Sequence, residues 1–103
     1  MEKTAIPFRP YHPGELLKEE LACRHIQQKE FAHKFGISYT ALNEILNCKR
    51  PVSTDFALLV EAALGVSADL LVRMQTSYNI QVARSDQERM KWLNEVRRIA
   101  ITL

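Results

Sequence analysis

The sequence predicts an all-α protein of one domain. Apolar residues recur at helical spacing through most of the 103 residues. No stretch shows the convincing alternation of apolar and polar residues that marks a half-buried strand. Gly36, Pro51 and Gly65 separate successive helical runs, as helix-ending residues do.

The N-terminal part predicts an arm followed by helix one. The first thirteen residues carry three of the four prolines and little periodicity, so residues 1–12 are interpreted as an extended arm. Pro13 suits a first helical position, because the N–H it lacks would have no helical acceptor there. Helix one is predicted at 13–23, with four apolar residues near one face: Leu16, Leu17, Leu21 and Ala22.

Residues 27–50 predict two short helices joined by a turn, the pattern of a helix-turn-helix. Helix two is predicted at 28–35, with Phe31, Ala32 and Phe35 on its apolar face, and it ends at Gly36. Helix three is predicted at 38–47 and begins at Ser38, a favourable N-cap. Its apolar face consists of Leu42, Ile45 and Leu46.

The rest of helix three carries side chains that can bind base edges. These residues are Tyr39, Thr40, Asn43, Glu44 and Asn47. The second helix of a helix-turn-helix lies in the major groove, where each base pair presents a distinct set of donors and acceptors. Asn43 can form two hydrogen bonds to adenine, Thr40 and Tyr39 can contact a thymine methyl or a phosphate, and Glu44 can accept from cytosine.

Positive charge accompanies this segment. Residues 24–50 carry five Lys or Arg against two Glu, a net charge of +3, whereas residues 51–72 carry a net charge of −3. Lys49 and Arg50 directly follow helix three and are expected to neutralise phosphates. Gln28, in the first turn of helix two, is expected to point its amide at the DNA backbone, where helix N–H groups also favour phosphate.

Composition argues against other classes of function. No run approaches the roughly 20 apolar residues that a membrane span needs, and no signal peptide is apparent, so a soluble cytoplasmic protein without membrane contact is expected. The two cysteines and three histidines have no metal-ligand spacing. No arrangement of a nucleophile and a base indicates catalysis. The sequence thus predicts a protein that is not an enzyme and holds neither a metal nor a cofactor.

Three further helices are predicted after Pro51. Helix four spans 54–64 between Ser53 and Gly65, and Ser67 caps helix five at 68–75, with Leu70, Leu71 and Met74 facing inward. Residues 75–84 are compatible with an extension of helix five or with a loop. The pattern S-x-x-E at 85–88 predicts the start of helix six, which runs almost to the last residue.

An apolar stripe runs along helix six, with its residues at helical spacing. It consists of Trp92, Val96, Ile99 and Leu103, and is called the α6 stripe below. Such a stripe serves as core, as a dimer interface or as a toxin-binding surface, and the first two are favoured because this spacing normally marks intramolecular or symmetric packing.

Residues 28–50 resemble the lambda-repressor-like, or XRE-type, helix-turn-helix, reading Q-x-x-F-A-x-x-x-G-I-S-x-x-x-L-N-x-I-L-N-x-K-R. The order H-P-G-E, D-F-A-L, A-L-G-V-S-A and M-Q around it is similar to HigA-like antitoxins. This resemblance covers residues 10–82. It implies a five-helix DNA-binding domain at 13–82, preceded by the arm at 1–12, with an additional C-terminal helix at 83–103 for dimer or partner contact.

The resemblance also implies function and partners. The expected protein is a homodimer that binds an inverted-repeat operator in double-stranded DNA and represses its own toxin-antitoxin operon. Its other partner is a HigB-type toxin, an mRNA endonuclease of the RelE superfamily, which it neutralises. Carried over by position, the DNA-facing residues are Gln28, Ser38, Tyr39, Thr40 and Asn43, and the phosphate contacts are Lys49 and Arg50.

Four departures and two alternatives accompany this resemblance, and one departure is Leu71-Val72-Arg73 in place of the usual aromatic W-L-N. Cys48 stands where the family usually has glycine, so a left-handed turn there is expected to be strained or absent. Tyr39 replaces a frequent arginine, and Gln27 is a weaker N-cap than the usual serine or threonine. The alternatives are a stand-alone XRE-type regulator without a toxin and a helical interaction module that does not bind DNA.

Overall fold

The computed structural model describes residues 10–103, so the predicted arm at 1–12 lies mostly outside the described residues. Six helices and no strand occur in that part of the chain, which confirms the all-α class. They are α1 Pro13–Cys23, α2 Gln28–Phe35, α3 Tyr39–Leu46, α4 Thr54–Leu64, α5 Ala68–Arg84 and α6 Gln87–Ala100. Residues 75–84 extend α5.

Helices α1, α2 and α3 are each followed within two positions by a residue with a left-handed backbone. These residues are His25, Gly36 and Cys48, with φ of 57°, 67° and 65°. In each case the next residue donates its N–H to a carbonyl five residues back, which closes the helix end. The bonds run from Ile26 to Leu21, from Ile37 to Ala32 and from Lys49 to Glu44, at 2.9, 2.8 and 2.8 Å. The left-handed turn at Cys48 is therefore present.

Serine side chains begin three of the helices as predicted. Ser38, Ser53 and Ser67 each accept an N–H from the residue three positions on, at 3.1 to 3.2 Å. The predicted capping box at Ser85 is wrong. Asp86 caps α6 instead, because its carboxylate accepts two first-turn N–H groups at 3.0 and 3.3 Å. The Ser85 hydroxyl donates backwards to the Val82 carbonyl at 2.7 Å.

One compact unit, Tyr11–Gln75, holds the hydrophobic core. The core includes most of the predicted inner faces of α1 and α2 and all of that of α3, and it extends into α4 and the start of α5. Its buried members are Leu17, Leu21, Phe31, Ala32, Leu42, Ile45, Leu46, Val52, Ala57, Val60, Leu64, Ala68 and Leu71. Ala22 and Phe35, also predicted on inner faces, are exposed, Phe35 to 40%. Leu70, predicted to face inward, is 40% exposed, whereas Leu71 is fully buried.

The second unit includes Thr76–Leu103 and therefore α6. No residue of α6 is buried, although the structure describes the whole helix. The α6 stripe is 63%, 42%, 58% and 104% exposed along its four residues, so its interpretation as core is wrong. None of the helices that the structure describes combines the length and apolar character needed to cross a bilayer.

Candidate nucleic-acid interface

Burial divides α3 into an inner and an outer side. Leu42, Ile45 and Leu46 are among the most buried residues of the chain, at 1%, 5% and 1% exposure. Tyr39 and Thr40 are exposed. Because the core holds the apolar side, α3 presents its first turn and its polar residues outward at a fixed rotation.

Asn43 and Gln28 connect α3 to the first turn of α2. The Asn43 side-chain amide Nδ2 donates to Gln28 Oε1 at 3.0 Å. An amide nitrogen carries two hydrogens, so this bond leaves Asn43 one donor and its Oδ1 acceptor for a base edge. The bond thus fixes the rotamer of Asn43 without consuming the pair of groups that adenine requires.

The first turn of α2 is open to an anion. Within the described residues, the side chain of Gln27 forms no capping bond, as its poor N-cap character predicts. Unpaired N–H groups at a helix start attract phosphate. Next to them, Lys29 Nζ lies 5.8 Å from the centre of the Tyr39 ring, within the range of a cation-π contact.

An open groove of about 460 Å³ lies between α1, α2 and α3. Its lining combines cationic and amide side chains, among them Lys18, Lys29, Gln28 and Asn43. Lys18 Nζ also donates to Asn47 Oδ1 at 3.2 Å, and this bond links α1 to the C-cap of α3. Apolar side chains, among them Leu21, Ile26 and Leu46, line the rest of the groove, so its cations and amides offer phosphate contacts beside an apolar surface.

The predicted cations differ in their partners. Arg24 donates to Glu20 at 3.0 Å and to the Leu64 carbonyl at 2.8 Å, so this cation holds the end of α4. Arg50 binds Glu44, with Nε and Nη2 at 3.0 and 2.7 Å from the same oxygen, Oε1. Lys49 is exposed beside it. Lys49 and Arg50 are called the basic exit below.

Across residues 10–103, no three His, Cys, Asp or Glu side chains come together as a metal site. Within the same residues, Cys23 and Cys48 form no disulfide. All eight predicted site residues lie at the start of α2, in α3 or its N-cap, or at the basic exit. The structure brings Gln28, Tyr39 and Asn43 together in the lining of one groove. The arrangement offers hydrogen-bonding groups and cations for binding.

Comparison with known proteins agrees with this geometry. A family profile described as helix-turn-helix matches residues 17–71. The chain belongs to this helix-turn-helix family. It is also similar to virulence-associated protein I of Dichelobacter nodosus, with 32% identity over 78 residues that cover 75% of this chain and 72% of that protein.

Solved structures of antitoxins and antidote proteins resemble this one over most of its length. A HigA-family addiction module antidote protein from Coxiella burnetii has a TM-score of 0.73 and 28% identity, over 85% of this chain and 95% of that one. The Pseudomonas aeruginosa antitoxin HigA, solved with its higBA promoter, has a TM-score of 0.71 and 26% identity, over 80% and 91% of the two chains. The predicted resemblance to HigA-like, XRE-type proteins is confirmed.

Sequence reasoning missed two residues that support the helix-turn-helix from α1. His12, only 2% exposed, is the N-cap of α1, and its Nδ1 accepts the Gly14 N–H at 2.8 Å. A Cβ on Gly14 would lie 1.9 Å from the Ile45 carbonyl oxygen, so only glycine lets α1 approach α3 this closely. Pro13 at the first helical position was a signal that residue 12 is the N-cap.

His12 is held neutral by its surroundings. Burial lowers the pKa of His12, although the nearby Glu15 carboxylate and a hydrogen bond to the backbone of Arg50 act in the opposite direction. Because Nδ1 is an acceptor, the neutral ring carries its proton on the other nitrogen, which donates to the Arg50 backbone. His12 thus joins the start of α1 to the basic exit.

In the part of the chain that the structure describes, Gln75 is the other buried polar residue, and it fixes the loop after the basic exit. It is 6% exposed, and its Oε1 accepts the Val52 N–H at 2.8 Å. A buried N–H without an acceptor would cost about 1 to 3 kcal/mol, so this bond is a structural requirement of the loop. The basic exit therefore has a buried anchor at Val52.

Proposed function

We propose that this protein is a sequence-specific DNA-binding antitoxin that represses its own toxin-antitoxin operon, and that its role is binding rather than catalysis. One observation carries the DNA-binding part: α3 buries Leu42, Ile45 and Leu46 and turns Tyr39, Thr40 and Asn43 outward beside a basic exit. A rigid helix with uncharged hydrogen-bonding groups and flanking cations is what the major groove accepts.

The proposed base contacts follow from the outward groups of α3. Asn43, held by Gln28, binds adenine through its remaining donor and its acceptor. Tyr39 and Thr40 contact a thymine methyl or a phosphate. Both Arg50 bonds reach Oε1 of Glu44, so Oε2 of Glu44 can accept from a cytosine amino group.

The proposed phosphate contacts surround these base contacts. Gln28 and the uncapped N–H groups of α2 supply the contacts that precede α3 in the chain, and Lys49 and Arg50 supply those that follow it. Ser38 uses its hydroxyl oxygen as the N-cap of α3, and its hydroxyl proton can donate to phosphate. These contacts fix the position of the protein along the duplex and make the affinity depend on salt concentration. They do not distinguish one base sequence from another.

The proposed assembly is a homodimer on an inverted repeat, with residues 83–103 as the dimer or partner contact. Two reading helices must lie about 34 Å apart to reach successive major grooves on one side of the duplex. The α6 stripe is unburied within the chain and supports pairing with a second copy. The proposed second partner is a HigB-type mRNA endonuclease toxin, supported by the likeness to HigA-family proteins.

A mobility-shift titration tests the DNA-binding part. Labelled DNA from the region upstream of the gene is titrated at two salt concentrations, with unlabelled upstream and unrelated DNA as competitors. We expect a complex that the upstream competitor removes preferentially and that weakens steeply at higher salt. Absence of a shift at low salt would instead support a helical interaction module that does not bind DNA.

Copurification tests the toxin part. The tagged protein is expressed together with the product of the adjacent gene, and the proposal expects a complex in which that product no longer cleaves mRNA. Operator binding without any such partner would identify a stand-alone XRE-type regulator. A tagged protein carrying the Thr40→Glu substitution is a useful control, because it should lose binding to DNA and retain binding to the toxin.

A further inference from the structure

The start of α1 touches the C-terminal turn of α3 and the basic exit at once. Gly14 lies against the Ile45 carbonyl, and the His12 ring lies between the Gly14 N–H and the Arg50 backbone. His12 and Arg50 are 38 positions apart in the sequence. The contact is therefore part of the tertiary structure and not of a local turn.

We propose that His12 is a positioning residue for DNA binding, which holds the backbone of the basic exit so that Lys49 and Arg50 meet the phosphates together. This inference rests on the proposed DNA-binding function. His12 is buried and touches no DNA itself. It acts through the Arg50 backbone, just as Glu44 acts on the Arg50 guanidinium.

The two hydrogen bonds of His12 separate two roles. The bond from Gly14 is an N-cap, which asparagine also provides. The bond to Arg50 needs the far side of the imidazole ring, which the shorter asparagine side chain lacks. His12→Asn therefore retains the cap and removes the bridge, whereas His12→Ala removes both.

Protonation should break the N-cap and not the bridge. An imidazolium ring has two donors and no acceptor, so it loses the bond from Gly14 and keeps a donor for the Arg50 backbone. The charged group that acts on the ring is Glu15 on α1, and at the exit of α3 the ring meets the backbone of Arg50. Glu15 favours the charged ring, and burial opposes it more strongly.

A double-mutant cycle on upstream DNA tests this role. The affinity and its salt dependence are measured for the natural protein, for His12→Asn, for the pair Lys49→Ala and Arg50→Ala, and for the triple variant. We expect His12→Asn to weaken DNA binding by roughly tenfold when Lys49 and Arg50 are present. Added to the Lys49→Ala and Arg50→Ala pair, it should weaken binding less than twofold, because the effects of coupled residues are not additive. The slope of log affinity against log salt concentration should become shallower by about 1 on His12→Asn, but only when Lys49 and Arg50 are present.

Amide hydrogen exchange without DNA provides the second measurement. His12→Asn should accelerate exchange of the Lys49 and Val52 amides about tenfold or more, while the Leu42 amide in the middle of α3 exchanges as before. Equal losses of affinity in both exit backgrounds, or unchanged exchange at Lys49 and Val52, would overturn the positioning role. If the natural protein itself fails to bind upstream DNA while exchange responds as expected, the proposed function fails and the structural link stands.

Discussion

At the scale of single residues, backbone strain and base recognition can be tested separately. Cys48 adopts φ of 65°, a conformation in which a β-carbon is unfavourable. Cys48→Gly should therefore raise the free energy of unfolding by about 1 kcal/mol. Urea denaturation measures the change, with Cys48→Ala as the matched control because alanine also lacks the thiol but keeps the β-carbon. Equal stabilities of the two variants would rule out strain at this turn.

Asn43 and Lys49 should affect DNA binding in different ways. Asn43→Ala is expected to weaken upstream DNA more than unrelated DNA, by about 1 to 3 kcal/mol, because it removes a bidentate base contact. Lys49→Ala should weaken both DNAs about equally and lower the salt slope by about 1. Fluorescence anisotropy with both DNAs at several salt concentrations measures these effects. A change of sequence preference in Lys49→Ala would show that the assigned roles are wrong.

At the scale of helices, sequence predicts much and misses the links between distant segments. The 3.6-residue periodicity and the serine caps predicted the bounds of α1 to α4 closely, because these signals lie within the helices themselves. The cap of α6 was misplaced by one residue because Ser85 and Asp86 are both good caps, and α5 runs on to Arg84. The bonds of His12 to Arg50 and of Gln75 to Val52 join distant segments, which periodicity does not report.

The candidate site shows the same division. The outward residues of α3 could be predicted because Leu42, Ile45 and Leu46 fix its inner face. Which cations bind within the protein could not be predicted, because pairing depends on tertiary distances. Arg24 was counted with the basic segment and instead binds the end of α4, and Arg50 is paired with Glu44.

The cap of α1 should make the stability of the helices depend on pH. Burial lowers the pKa of His12, so below its ordinary value of about 6.5 the unfolded chain binds a proton that the folded protein excludes. The contribution of His12 to the free energy of unfolding is thus fully present above pH 6.5 and decreases as the pH falls toward the folded-state pKa. Urea denaturation at pH 7.5 and 5.5 tests this against His12→Asn, which should lose less stability on acidification. A parallel decrease in both proteins would exclude His12 as the source.

At the scale of the whole molecule, the exposed α6 stripe sets the expected assembly. Ile99→Glu places a charge in the stripe and should convert a dimer into a monomer, measured by light scattering during gel filtration. Affinity for an operator with two half-sites should fall by roughly 100-fold, because two monomers bind the half-sites independently whereas a dimer binds the second half-site at a high effective concentration. Asn94→Glu adds the same charge where Asn94 already accepts a bond from Arg97, and should remain dimeric. A dimer that persists in Ile99→Glu would place the interface elsewhere.

Outward presentation of α3 to DNA is tested most directly by a charge placed on its first turn. Thr40→Glu adds a carboxylate to an exposed residue where the helix start tolerates it, so the fold should remain intact by circular dichroism. Thr76→Glu makes the same change at an exposed residue of α5. We expect Thr40→Glu to lower affinity for upstream DNA by about 100-fold or more and Thr76→Glu by less than threefold, because a carboxylate against phosphates removes several kcal/mol of binding. Equal affinities of the two folded variants would contradict the assignment of α3 as the DNA-reading helix.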